Sequence, residues 1–311
     1  MTPVTSDLVR SWQWDTATPA SRLAHRIRVT DPEGCRVALL GLPDDLGVRL
    51  NGGRPGAAGG PRAFREALAR YGAGAPGSNQ WPQIYDAGDV VPGSSLTETH
   101  TRVTRAAERL LELGLLPVGV GGGHDLTFPL VRALAQRKQE PLTGIYLDAH
   151  LDVREEDGSG MPFRRLVEEC GVRALHVRGL DPFSNSREHL NWFRSHGGRT
   201  SGFGAADEWP DGPLFVSLDL DVLDQSVAPG VSAGNPAGWR VQEAEAWARA
   251  AGAHPGVGSF DLMELSPPWD EGGRTARVAA RLFLAFLQGV EARPQNDEAR
   301  IRKERGGGAA P

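Results

Sequence analysis

Residues 145–154 read Ile-Tyr-Leu-Asp-Ala-His-Leu-Asp-Val-Arg. The run begins as a buried strand begins, apolar and aromatic, and then places Asp148, His150 and Asp152 on every second position. Side chains two apart on an extended segment point to one side, so the three can converge on one point. Carboxylate, imidazole and carboxylate in that array suit a divalent transition metal. A lone Asp-x-His at a strand end would read as solvated, and the choice between metal and solvent falls to the rest of the chain.

At 311 residues there is room for one large domain or two modest ones. The apolar fraction of 40% and charged fraction of 23% are those of a globular protein. Net charge is −5 and the pI about 5.9, so there is no basic footprint for nucleic acid. No apolar run approaches the roughly 20 residues that span a bilayer, and Met1–Arg10 lacks the basic start and apolar run of a signal peptide. Cys35 and Cys170 lie far apart with no motif around them, which fits a reducing compartment and excludes a cysteine-rich zinc site. These features predict a cytoplasmic chain with no nucleic-acid or membrane partner, and they leave a homo-oligomer open.

The chain alternates apolar runs with amphipathic segments. Strands are expected at 36–42, 83–87, 115–120, from Ile145, at 173–178, 213–218 and 257–263. Helices are expected at 61–70, 96–113, 126–136, 162–169, 186–195, 239–251 and 275–290. A Gly-rich loop, 51–60, precedes the first helix but matches neither phosphate-loop pattern. Strand–helix alternation throughout argues for a mostly parallel α/β sheet in one domain. Residues 1–34 carry Trp12 and Trp14 without a clear period and read as an arm on the body, 35–292 as the catalytic domain, and 293–311 as a disordered, charged and Gly-rich tail.

Four strand ends carry polar clusters: His124; Asp148, His150 and Asp152; Asp219 and Asp221; and Glu264. In parallel sheets the carboxyl ends of the strands share an edge, and ligands bind there. Two imidazoles and four aspartates are too acidic for one structural zinc. They balance two divalent ions, which would lower the pKa of a shared water. Without a cation, four adjacent carboxylates would repel one another.

Gly-Gly-Gly-His-Asp (121–125), Asp-Ala-His-Leu-Asp (148–152), Ser-Leu-Asp-Leu-Asp-Val-Leu-Asp (217–224) and Asp-Leu-Met-Glu-Leu-Ser-Pro (261–267) resemble the ureohydrolase family of arginases, agmatinases and formimidoylglutamases. Asn-Gly-Gly-Arg-Pro-Gly-Ala (51–57), Gly60-Pro61 and Arg65 resemble that family's N-terminal loop. The resemblance spans about residues 36 to 290 in the correct order. It implies a three-layer α/β/α fold, an eight-stranded parallel sheet and two Mn2+ per chain. His124, Asp148, Asp152 and Asp219 would hold one manganese; Asp148, His150, Asp219 and Asp221 would hold the other. Asp152 would also orient the attacking water, and Glu264 would grip the cationic amidine or guanidinium.

The loop after Asp152 points to the branch. Arginase-type members place a neutral polar residue where this chain has Arg154, and a proton-shuttling His in the next loop, which here reads Asp157-Gly158-Ser159-Gly160-Met161-Pro162-Phe163-Arg164. The pattern is most similar to formimidoylglutamases, which implies hydrolysis of N-formimino-L-glutamate to L-glutamate and formamide in histidine degradation. Arg154 and Arg164 would anchor the two substrate carboxylates, since an Arg fork pairs with a carboxylate in bidentate fashion. The branch often has Glu after the ligand histidine, where this chain has Asp125. The alternatives are an arginase- or agmatinase-type hydrolase releasing urea from another guanidino compound, or an inactive metal-binding relative. The other histidines, His189 and His176 among them, read as structural or solvated.

Overall fold

The apolar runs pair side by side because strands so uniformly hydrophobic must be covered on both faces. The computed structural model describes residues 7–72, 74 and 81–293. Its strands are β1 (Val9–Arg10), β2 (Val37–Leu42), β3 (Ile84–Val90), β4 (Leu116–Gly121), β5 (Thr143–Leu147), β6 (Ala174–Arg178), β7 (Gly198–Arg199), β8 (Leu214–Asp219) and β9 (Val257–Met263). Its helices are α1 (Leu46–Leu50), α2 (Gly60–Leu68), α3 (Leu96–Glu112), α4 (Thr127–Arg137), α5 (Pro162–Cys170), α6 (Arg187–Ser195), α7 (Val241–Ala253) and α8 (Arg274–Ala292).

Among the described residues the nine strands form one sheet, ordered β1-β3-β2-β4-β9-β8-β5-β6-β7. The eight from β2 to β9 are mutually parallel, and β1 pairs antiparallel with β3 at the edge. The expected mostly parallel α/β/α architecture is therefore present, with one antiparallel strand added. The two-residue strands β1 and β7 and the five-residue α1 are too short to leave a period in the sequence. Of the residues before 35, Leu23, Ala24 and Ile27 are buried. The tail expected to be disordered lies, Arg293 apart, outside the described residues; Arg293 itself donates to the carbonyls of Ala251, Gly252 and Val257.

The period of two decides which layer each strand residue meets. Ile145 and Leu147 join Val216, Leu218, Phe260 and Leu262 in the cluster covered by α2, α7 and α8. Tyr146, between them, joins Phe163, Phe193 and Phe215 on the side of α4 and α5. Helices α7 and α8 touch backbone to backbone: a Cβ on Gly252 would sit 2.0 Å from the Phe286 carbonyl oxygen, and one on Gly289 would sit 2.1 Å from that of Arg249. No helix among the described residues is long and apolar enough to cross a membrane.

In the Gly-rich loop before α2 the Gly56 N–H is already taken, donating to Asp45 (2.7 Å). Arg65 of α2 is 1% exposed. It forks onto Asp86 of β3 (Nε–Oδ2 2.9 Å, Nη2–Oδ1 2.8 Å) and donates to Asp89 Oδ1 (2.6 Å), tying helix to sheet. Arg65→Met would leave Asp86 an uncompensated buried charge. We expect it to cost about 3–5 kcal/mol of unfolding free energy, measured by urea denaturation followed by circular dichroism.

Candidate metal centre

The four strands that end in polar clusters, β4, β9, β8 and β5, are neighbours at the middle of the sheet. Their carboxyl ends therefore deliver His124, Glu264, Asp219 with Asp221, and Asp148 to one place. After β4 the chain must turn tightly, and the run Gly121-Gly122-Gly123 allows it: a Cβ on Gly122 would lie 1.8 Å from the Asp44 carbonyl oxygen. His124 then opens a 3-10 turn, His124–Leu126, that leads into α4. Its backbone N–H donates to Glu264 Oε1 (2.9 Å), and Glu264 N–H returns to the Gly122 carbonyl (3.0 Å).

The alternating ligands converge, but not as an extended strand. β5 ends at Leu147, and Asp148–Asp152 form a loop in which Asp148 Oδ1 accepts from the His150 N–H (2.6 Å). The end of β8 repeats the device, with Asp219 Oδ1 accepting from the Asp221 N–H (2.8 Å). In each pair an aspartate bonds the backbone two residues on, an Asx turn that folds both side chains toward one another. Asp152 and Glu264 are the non-glycine residues with left-handed backbone among those described, φ 47° and 67°. Backbone strain of this kind collects at functional sites.

Two candidate ligand groups result. His124 Nδ1 lies 3.2 Å from Asp148 Oδ2, 2.9 Å from Asp152 Oδ2 and 3.0 Å from Asp219 Oδ2. His150 Nδ1 lies 3.5 Å from Asp148 Oδ1 and 3.0 Å from Asp221 Oδ2. The atoms of His124, Asp148, Asp152 and Asp219 fall within 4.8 Å of one another, as do those of Asp148, His150 and Asp221. Asp148 is shared. Asp219, expected in both groups, joins the first.

Electrostatics show what the cluster needs. Burial pushes the carboxyls of Asp219, Asp221 and Asp152 above the usual carboxylate range, and the Asp221 charge adds to the rise at Asp219. Burial also lifts Glu264 to about 7, against the His124 N–H that favours its charged form. The Asp221 charge raises His150, and at His124 three carboxylates outweigh a burial that works the other way. Among the described residues these aspartates have ion pairs with the two imidazoles alone. Asp148 Oδ2, Asp221 Oδ1 and Glu264 Oε2 are buried without a hydrogen-bond partner. Hard carboxylate oxygens that outnumber their imidazole partners fit divalent cations such as Mn2+.

Behind His124, Nε2 meets Ser217 Oγ (2.9 Å), and Ser217 donates to Asp261 Oδ1 (2.5 Å). Burial raises Asp261 to about 6. This chain fixes the imidazole with Nδ1 facing the acids, the outer support that metal-bound histidines need. Sequence reasoning gave Ser217 no role, although it stands two residues before Asp219 on the same strand face. Asp125 turns the other way and pairs with buried His100 of α3 (2.7 Å), securing the 3-10 turn.

A cavity of about 170 Å³ opens over the acids. Its floor is His150, Asp152, Asp219, Asp221 and Glu264; its walls include Asn51, Arg154, Ser159, Asn185, His189 and Ser232.

The arginase family's sequence model matches residues 35–288. The chain belongs to the arginase family. It is 34% identical over 298 residues to the formimidoylglutamase of Aromatoleum aromaticum, covering 83% of this chain and 84% of that one. It is 32% identical over 286 residues to the human mitochondrial guanidino acid hydrolase, covering 83% and 79%. The crystal structure of Trypanosoma cruzi formiminoglutamase with Mn2+ superposes with a TM-score of 0.80 at 30% identity, covering 88% of this chain and 99% of that one.

In this arginase-family chain the two expected arginine anchors part company. Arg154 lines the cavity, and its guanidinium has no carboxylate partner among the described residues. Arg164 lies on α5, pairs with Glu168 (3.1 Å) and Glu155 (3.6 Å), and covers the Trp192 ring. It does not line the cavity. Sequence reasoning missed Asn51, Ser184, Asn185, His189 and Ser232 as lining residues; Asn51 opens the motif 51–57, whereas loops and a helix with no repeating pattern present the others.

Ser217→Ala breaks the support behind His124 while leaving every ligand group in place. We expect Mn2+ to bind about 10- to 100-fold more weakly, measured by equilibrium titration of the metal-stripped protein.

Proposed function

We propose that this chain is a binuclear-manganese hydrolase that cleaves the C–N bond of N-formimino-L-glutamate, giving L-glutamate and formamide, with residues 35–292 as the catalytic unit. The observation that carries this reading is the polarity of the cavity: carboxylates form the floor, and Arg154 stands unpaired in the wall. An amidine with a carboxylate tail matches that gradient from end to end. A tail bearing an amine, as in agmatine, would face Arg154 with like charge.

We assign His124, Asp148, Asp152 and Asp219 to one manganese and Asp148, His150, Asp219 and Asp221 to the other. When bound, the ions would lower the pKa of a water molecule and supply a nucleophile at neutral pH. Glu264 holds the amidine nitrogens by charge-assisted hydrogen bonds, setting the formimino carbon over the floor. Asp152 orients the attacking water and holds the proton that the departing amine takes up. Water oxygen adds to the formimino carbon, the bond to the glutamate nitrogen breaks, and that nitrogen leaves as a protonated amine. Arg154 grips a substrate carboxylate in bidentate fashion and adds the same binding to ground and transition states. Arg164 lies outside the lining, so the carboxylate assignment rests on Arg154.

A second reading, hydrolysis of a guanidino acid with release of urea, is favoured by the likeness to the human guanidino acid hydrolase. It uses the same floor and the same arginine. With Mn2+ present we expect formamide from N-formimino-L-glutamate; urea from a guanidino acid, with no formamide, would select the second reading. Arg154→Ala should raise KM about 10- to 100-fold, the loss of a charged hydrogen-bonded pair, with kcat unchanged. Its manganese content should equal that of the unaltered chain, and metal loss would refute the assigned role. Chelation should abolish turnover, and added Mn2+ should restore it, in an assay of formamide release.

A further inference from the structure

The loop Asp148–Asp152 carries three of the proposed ligands in irregular backbone, so its own N–H and C=O groups need partners from elsewhere. Asp148 N–H donates to the Arg178 carbonyl (2.9 Å), and His150 N–H to Asp148 Oδ1. The two groups that flank His150, the Ala149 carbonyl and the Leu151 N–H, both go to one side chain. Asn185 Nδ2 donates to Ala149 O (2.8 Å), and Asn185 Oδ1 accepts from Leu151 N–H (2.9 Å). The second Nδ2 hydrogen donates to Asp181 O (2.8 Å), closing the loop that presents Asn185, while Asp181 N–H also donates to Ala149 O (3.0 Å). From the opposite side Tyr146 Oη donates to Leu151 O (3.0 Å). The amide cannot be reversed, since that would set oxygen against two carbonyls and nitrogen against an N–H.

We infer that Asn185 is a positioning residue for the proposed metal ligand His150: its carboxamide acts as a surrogate peptide group that grips residues 149 and 151 and so aims the imidazole between them. Asn185 lines the cavity, yet both of its N–H donors are committed to backbone carbonyls. It therefore has no donor left for a substrate carboxylate. The inference rests on the two-manganese reading, and its effect falls chiefly on the half of the centre that His150 serves, Asp148 being shared with the other half. The His124 group is held instead through Ser217 and Glu264.

Asn185→Asp and Asn185→Ser test this. The Asp variant keeps the acceptor for Leu151 N–H but turns carboxylate oxygen onto two carbonyls; the Ser variant removes the long reach altogether. We expect one of the two Mn2+ ions to bind about 10- to 100-fold more weakly, with the other affected much less, and with Asp the more damaging. In electron paramagnetic resonance the signal of a coupled manganese pair should give way to that of single ions. At saturating Mn2+ kcat should fall while KM holds. Circular dichroism reports folding, and if the Asp variant is unfolded the Ser variant alone decides. Both ions binding as in the unaltered chain would overturn the inference, as would equal weakening of both, or a raised KM with metal binding intact. An unaltered chain that takes up no manganese would overturn the two-metal reading itself.

Discussion

Five carboxylates, Asp148, Asp152, Asp219, Asp221 and Glu264, meet two imidazoles at the middle of the sheet edge, and apart from His150 and Asp152 these groups are almost wholly buried. Unbalanced charge in such a place is costly, so the surroundings must hold the groups rigidly where divalent ions can balance them. Rigidity comes from several directions. The Asx turns of Asp148 and Asp219 fold each ligand pair on itself, Ser217 and Asp261 brace His124, and Glu264 ties the β9 end to the β4 end.

The layers behind this edge are ordinary by comparison. Uniformly apolar strands pass residues alternately to the α2, α7 and α8 layer and to the α3, α4 and α5 layer. The ion pair of Arg65 with Asp86 and Asp89 is one exception, a polar tie inside a hydrophobic contact. It recruits a motif residue of the N-terminal loop for architecture and leaves the chemistry to the strands at the middle of the sheet.

The strand Val257–Met263 and the helix starting at Pro162 were legible because an apolar period or a proline marks them locally. The convergence of the residues proposed as ligands was legible too, although for a reason that needed correcting. The spacing of two was read as strand alternation, and it works instead through an aspartate bonding the N–H two residues on. Either geometry depends on neighbours in sequence, so the same residues are brought together whichever backbone is expected. Arg154 and Arg164 show where this ends. Both follow the ligand loop, but one faces the cavity and the other is drawn off by Glu168, Glu155 and Trp192.

By itself, then, the amino-acid order determined the inventory of the site: two imidazoles, the acids and their pairing, the alternation that demands a parallel sheet, and a chain of the arginase family. Those properties are carried by residues a few positions apart. Only the tertiary structure decided that β4, β9, β8 and β5 are neighbours, which arginine faces the cavity, and that Asn185, more than thirty residues beyond His150, grips the loop that aims it. Such facts depend on strand order and on the direction of single side chains, which long-range packing sets and no local period records.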